Sequence, residues 1–127
     1  MQEEQSLTFE HLTPEEYKVM REGATEPPYS NDFVEVKDGV FHCKACGNPL
    51  FKAEDKFDSG TGWPSFIQPI TPDAVQYKTD WKMFVPRIEV LCGKCQSHLG
   101  HVFDDGPKPT GKRFCMNGVA LKVQKDT

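Results

Sequence analysis

Five cysteines divide as four plus one. Cys43 and Cys46 form one C-x-x-C pair, Cys92 and Cys95 form a second, and Cys115 stands alone in Arg113-Phe114-Cys115-Met116-Asn117. Two such pairs are what a tetrahedral zinc site needs, because the turn of each brings two thiolates onto one ion. Gly47 follows Cys46 and Gly93 lies inside the second pair, giving the backbone freedom by which amides approach the sulfurs. The competing chemistry is a redox dithiol of the thioredoxin kind, which sits at a helix N-terminus after a strand in a βαβ setting. Neither pair has that setting. The expectation is therefore one structural Zn²⁺ held by Cys43, Cys46, Cys92 and Cys95, with no open position for substrate. Cys115 is then left over as a nucleophile.

If Lys112 to Asn117 is a strand, its period of two puts Arg113, Cys115 and Asn117 on one face and Phe114 and Met116 in a core. A guanidinium beside a thiol favours the nucleophilic thiolate, and the Asn117 amide can orient a bound polar group. Free cysteines are also commonly inert and buried, so the flanking Arg and Asn carry the functional reading. His98 and His101 are not needed as metal ligands. Near a reactive thiol they would give or take protons, and in a core they would bond to backbone. Trp63 sits in Gly60-Thr-Gly-Trp-Pro64. It is either a core residue or an aromatic presented to grip an apolar methyl or thioether.

The elements that must position these groups are mostly strands. Ten Gly and ten Pro in 127 residues make the chain turn-rich, which favours short strands over long helices. Strand patterns run through Gly39–Cys43, Pro49–Phe51, Val75–Lys78, Arg87–Leu91, His98–Phe103 and Lys112–Val123, with further β signals from Phe33. In the last of these, Gly118 marks a change of face where a bulge or sheet edge fits. Residues 58–65 and 104–111 are built from turn formers and read as loops. One helix is expected over 14–22: Thr13 is an N-cap, Pro14 suits N1, Glu16 completes a capping box, and Gly23 closes it. Leu12 and Tyr17 would form a hydrophobic staple, with Tyr17 and Met20 on one face. Glu26-Pro-Pro-Tyr29 must then continue as extended chain. The fold class is mainly β: one mostly antiparallel β domain stapled by the four-cysteine zinc site, with a short N-terminal helical arm. Residues 1–8 read as a polar tail and 9–127 as a single domain.

Composition narrows the partners. The mean hydropathy is −0.58 and no apolar run is long enough to span a membrane. The acidic start Met1-Gln-Glu-Glu-Gln-Ser is the reverse of a secretory signal, so a cytoplasmic protein with reduced thiols is expected. The formal net charge of −4 becomes about −6 once four thiolates surround one Zn²⁺. Such a surface repels phosphate backbones, which argues against nucleic acid.

Ser59-Gly-Thr-Gly-Trp-Pro-Ser-Phe66, His98-Leu-Gly-His-Val-Phe-Asp-Asp-Gly-Pro107 and Arg113-Phe-Cys-Met-Asn117, with both C-x-x-C pairs in this order, resemble the B-type methionine sulfoxide reductases. Leu12-Thr-Pro-Glu-Glu-Tyr17 and Thr25-Glu-Pro-Pro-Tyr-Ser30 are also similar to that family, so the resemblance covers about residues 8–123. It implies a fold of two antiparallel β-sheets with peripheral helices, a four-cysteine zinc far from the catalytic centre, and reduction of the R epimer of methionine sulfoxide, mainly in proteins. By the resemblance Cys115 is the nucleophile, and His98, His101 and Asn117 surround the sulfoxide oxygen. Arg113 lies near the nucleophile, Trp63 holds the S-methyl group, and Phe114 stands at a substrate-side position that many members fill with Tyr. Many members also have a resolving cysteine where this chain has Thr61. A monomer recycled by thioredoxin or another thiol is the implied working form. The alternative is a non-enzymatic zinc-ribbon binding module, which would keep the four cysteines but need no Arg-x-Cys-x-Asn.

Overall fold

The computed structural model describes residues 12–22, 24, 38–57, 63–81 and 86–124. The polar tail, Gly23, the Pro27–Pro28 arm, the signals from Phe33 and Thr61 lie outside them. Helix α1 spans Pro14–Glu22, as expected. Its capping box is reciprocal: the Thr13 amide donates to Glu16 Oε1 at 2.9 Å and the Glu16 amide donates to Thr13 Oγ1 at 3.1 Å. Two amides that a helix start leaves without partners are thereby satisfied. The inward stripe differs from the expectation. Leu12, Val19 and Met20 are buried, whereas Tyr17 is 43% exposed. A nine-residue helix lying on a sheet buries a narrow stripe, and the tyrosine hydroxyl stays at the wet edge of it.

Among the described residues nine strands follow: β1 (Val40–Cys43), β2 (Pro49–Lys52), β3 (Lys56–Phe57), β4 (Ser65–Phe66), β5 (Val75–Asp80), β6 (Arg87–Cys92), β7 (His98–Phe103), β8 (Arg113–Met116) and β9 (Leu121–Gln124). They pair antiparallel throughout. The small sheet has the order β2-β1-β9 and the large one β3-β4-β8-β7-β6-β5. The run from Lys112 to Val123 is two strands in two different sheets, parted by a 3-10 turn at Gly118–Ala120. The change of face at Gly118 is thus a change of sheet. Ser65 and Phe66, read from sequence as loop and its edge, form β4. Both are fully buried and pair with Cys115 and Phe114, so tertiary context overrides turn propensity.

The core lies where the two sheets face each other. Phe51 stacks on Phe66 at 4.4 Å between ring centroids, Phe41 meets Phe66 edge-on at 5.1 Å, and Phe114 tilts against Phe51 at 5.9 Å. Each buried Phe contributes about 1.5–3 kcal/mol relative to exposure. That dense layer leaves the outer face of the large sheet to the half-buried residues of β8, Arg113 and Cys115.

Candidate functional site

The four paired cysteines converge at the seam between the sheets. Cys43 ends β1 and Cys92 ends β6, and each strand turns through a knuckle that carries the second cysteine. The turns match residue for residue. Gly47 N–H donates to Cys43 O at 2.8 Å, and Gln96 N–H donates to Cys92 O at 2.9 Å. Gly47 and Gln96 both hold the left-handed conformation, at φ 84° and 64°; glycine adopts it freely and Gln96 at some cost. Gly93 is required by packing, since a Cβ there would lie 2.4 Å from the Asp73 carbonyl oxygen.

All four Sγ atoms lie within 4.8 Å of one another, with Cys43–Cys95 at 3.7 Å and Cys46–Cys92 at 3.6 Å. A tetrahedral ion with sulfurs at ~2.3 Å has edges of about 3.8 Å. The donor set therefore fits one metal ion. The thiols also perturb one another: hydrogen bonding with the other three and burial drive Cys43 far up, while the same partners drive Cys95 far down. Four thiolates at this spacing need a cation among them. Around the cluster, the Lys94 amide points at Cys92 Sγ at 3.4 Å. Arg21 of α1 donates to the Cys95 carbonyl and to Ser97 Oγ, both at 3.1 Å, tying the helix to the second knuckle.

A separate cleft of about 280 Å³ opens over β7 and β8, with Cys115 and His101 in its floor and Trp63, Phe103, Arg113 and Asn117 around it. Strand register explains the meeting. Cys115 sits directly opposite His101 on β7 and opposite Ser65 on β4. Trp63 is held beside β8 because Met116 N–H donates to the Pro64 carbonyl at 2.9 Å. Asn117 is 3% exposed. Its side-chain amide donates to Leu99 O at 3.1 Å, which fixes the orientation of its head. Arg113 lies over the Phe103 ring at 4.4 Å and is gripped bidentately by Asp105 at 2.8 and 3.2 Å. Asp105, with Cys115 adding to it, raises the Arg113 pKa further, so a cation stands fixed next to the thiol. The arrangement presents a nucleophile, an imidazole across the strand, a fixed cation and an aromatic wall.

The SelR domain model matches residues 12–125, nearly the whole chain. The chain belongs to the SelR domain family. It is 53% identical over 116 residues to the "Peptide methionine sulfoxide reductase MsrB" of Methanosarcina barkeri, covering 91% of this chain and 82% of that one. It is 54% identical over 114 residues to the protein of the same name from Photorhabdus laumondii, covering 89% of this chain and 84% of that one.

Within this SelR domain the cleft gathers Cys115, His101, Asn117, Arg113 and Trp63. Two expected residues are placed elsewhere. Phe114 stands apart from the cleft: strand alternation turns it away from Cys115, and it lies buried against Phe51 on the core side. His98 stands behind the cleft wall, 5% exposed, with its ring edge-on to His101 at 5.5 Å. A bulge in β7 explains why two histidines three residues apart share a face. Val90 pairs with Gly100 but Leu91 with His98, so Leu99 is an extra residue. Sequence reasoning missed Phe103, Asp105 and Glu89. Alternation along β7 points Phe103 the same way as His101, so that residue was within reach; Asp105 and Glu89 come together with the site only through pairing.

Proposed function

We propose that this SelR domain, residues 9–127 as one unit, reduces the R epimer of methionine sulfoxide in proteins to methionine. The observation that carries it is Cys115 opposite His101 in the floor of a cleft walled by Trp63. A sulfoxide sulfur resists attack until its oxygen is protonated or hydrogen-bonded. The Cys115 thiolate attacks that sulfur while His101, facing it across the strand pair, supplies the proton to oxygen. Attack joins Cys115 Sγ to the substrate sulfur, whose oxygen now carries the proton; that S–S bond and the substrate S–O bond then break as the hydroxyl passes to Cys115, leaving the sulfenic acid. Methionine leaves as the thioether. Arg113 keeps the thiol in its anionic form, and the anchored Asn117 amide orients the oxygen. With the methyl group against Trp63 and oxygen toward His101 and Asn117, one face of sulfur is open, which supports selectivity for one epimer.

In this reading the ion held by Cys43, Cys46, Cys92 and Cys95 is Zn²⁺, since an all-thiolate tetrahedron is its preferred structural site. It would supply folding energy and no chemistry. By strand spacing and rise, Cys115 and Cys92 lie about 14 Å apart, beyond the reach of a disulfide. The sulfenic acid is therefore recycled by an external thiol, from thioredoxin or a similar donor, acting on a cytoplasmic monomer. Among the described residues no helix is long and apolar enough to cross a membrane. The deciding experiment is turnover of separated R and S epimers in a peptide with dithiothreitol. Reduction of R alone is expected; reduction of S, or of neither, overturns the reading.

A further inference from the structure

Across the outer face of the large sheet, pairing sets four side chains in one row: Cys115 on β8, His101 on β7, Glu89 on β6 and Lys78 on β5. Glu89 accepts a hydrogen bond from His98 Nδ1 at 2.7 Å. The carboxylate is 19% exposed and the imidazole 5%. Both residues line a second cleft of about 400 Å³ on the far side of His101 from Cys115, bounded by Lys78 and by Arg21 of α1. A carboxylate on Nδ1 fixes the ring of a buried imidazole, so that a proton taken up on the Glu89 side can leave from Nε2.

The reaction needs such an arrangement. Each reduction takes one proton from His101 through the substrate cleft, which is filled by polypeptide when the proton is spent. While that cleft is occupied, a proton can return only from another side. Resting on the function proposed above, we infer that Glu89 is a positioning residue of the reduction, holding His98 so that it reprotonates His101 from the second cleft. The rings of His98 and His101 are close enough for transfer directly or through one water. Other charged groups facing the dyad are Lys78 from β5 and Arg21 and Glu22 from α1, all on the second cleft. Lys78 and Arg21 oppose the charging of His98, and Glu89, in contact with it at 2.7 Å, favours it.

The test is steady-state reduction of the R epimer with dithiothreitol by Glu89→Gln across pH, with Glu89→Asp as the variant that restores charge. A carboxylate favours imidazolium, so its loss makes His98 give up its proton at lower pH. Glu89→Gln should lower the rate about tenfold or more, part of the ~10²–10⁴ a general acid contributes, with KM little changed. The alkaline limb of its rate profile should move to lower pH, and Glu89→Asp should recover part of both. Nitrogen-15 NMR of the same proteins should show the His98 midpoint falling in Glu89→Gln. A wild-type rate and limb in a folded Glu89→Gln, a loss confined to KM, or an unmoved His98 midpoint overturns the inference. Failure of the wild-type protein on both epimers would instead defeat the functional reading, while the His98 midpoint still judges the dyad.

Discussion

The neighbours of Cys115 come from one other strand, the segment before another and its own strand: His101 on β7, Trp63 before β4, and Arg113 two residues back along β8. Removing the nucleophile isolates its role. Cys115→Ser should abolish turnover with fold and metal content intact, because a hydroxyl without an activating triad is a far weaker nucleophile than a thiolate. Multiple turnover by the folded variant in the epimer assay would sink the assignment. Trp63→Ala tests the aromatic wall. It should lower kcat/KM for sulfoxide peptide by at least about tenfold, or ~1.4 kcal/mol, while alkylation of Cys115 by iodoacetamide proceeds at its wild-type rate. Equal losses in both measurements would mean that the indole supports the fold around the thiol and not the substrate.

At the scale of elements, the site depends on how closely β7 and β8 approach. A Cβ at Gly100 would stand 2.1 Å from the Cys115 carbonyl oxygen and 2.9 Å from Met116 Cα. These are backbone atoms, which cannot rotate away. Gly100→Ala should force the strands apart at the His101–Cys115 pair. Overpacking of this kind costs about 1–3 kcal/mol or more, read as a lower thermal midpoint, and activity should fall further than stability does. A variant with wild-type midpoint and rate would show that the pairing tolerates separation. The knuckles form the second element-scale dependence. Cys43→Ser or Cys92→Ser should release the metal, detectable by elemental analysis, and lower the thermal midpoint sharply. Structural zinc contributes about 10–16 kcal/mol in peptide models. Retention of one equivalent of metal would mean that the ligands are misassigned.

For the whole molecule, the two sulfur sites divide the work. The cluster joins the sheets at one end through β1 and β6, and Cys115 lies two strands across the large sheet from β6, about 14 Å from Cys92 by strand spacing and rise. One equivalent of R sulfoxide without reductant should therefore add one oxygen to the protein, trapped on Cys115 by a dimedone-type reagent, with the metal still bound. Mass spectrometry distinguishes this from a loss of two hydrogens with metal release. The latter outcome would make a cluster cysteine the resolving thiol. Thr61→Cys should supply that partner and convert the product into a disulfide between the introduced thiol and Cys115, as the family's usual cysteine at this position implies.

What the sequence determined by itself was local chemistry and period. The C-x-x-C spacing named the four cysteines that converge where an ion could be held, and Thr13 and Glu16 announced the start of α1. Alternation in Arg113-Phe-Cys-Met put Cys115 and Phe114 on opposite faces before any strand pairing was known. Each of these depends on residues within a turn or two of one another, where backbone geometry alone sets direction. The tertiary structure decided what long-range register controls. It split Lys112–Val123 between two sheets at Gly118 and made a strand of Ser65–Phe66. Through one extra residue at Leu99 it also set His98 behind His101 rather than beside Cys115. Glu89 and Asp105 joined the site the same way. A residue's partner across a sheet is fixed by pairing, bulges and the packing of the opposite face, and none of these is written in its own neighbourhood.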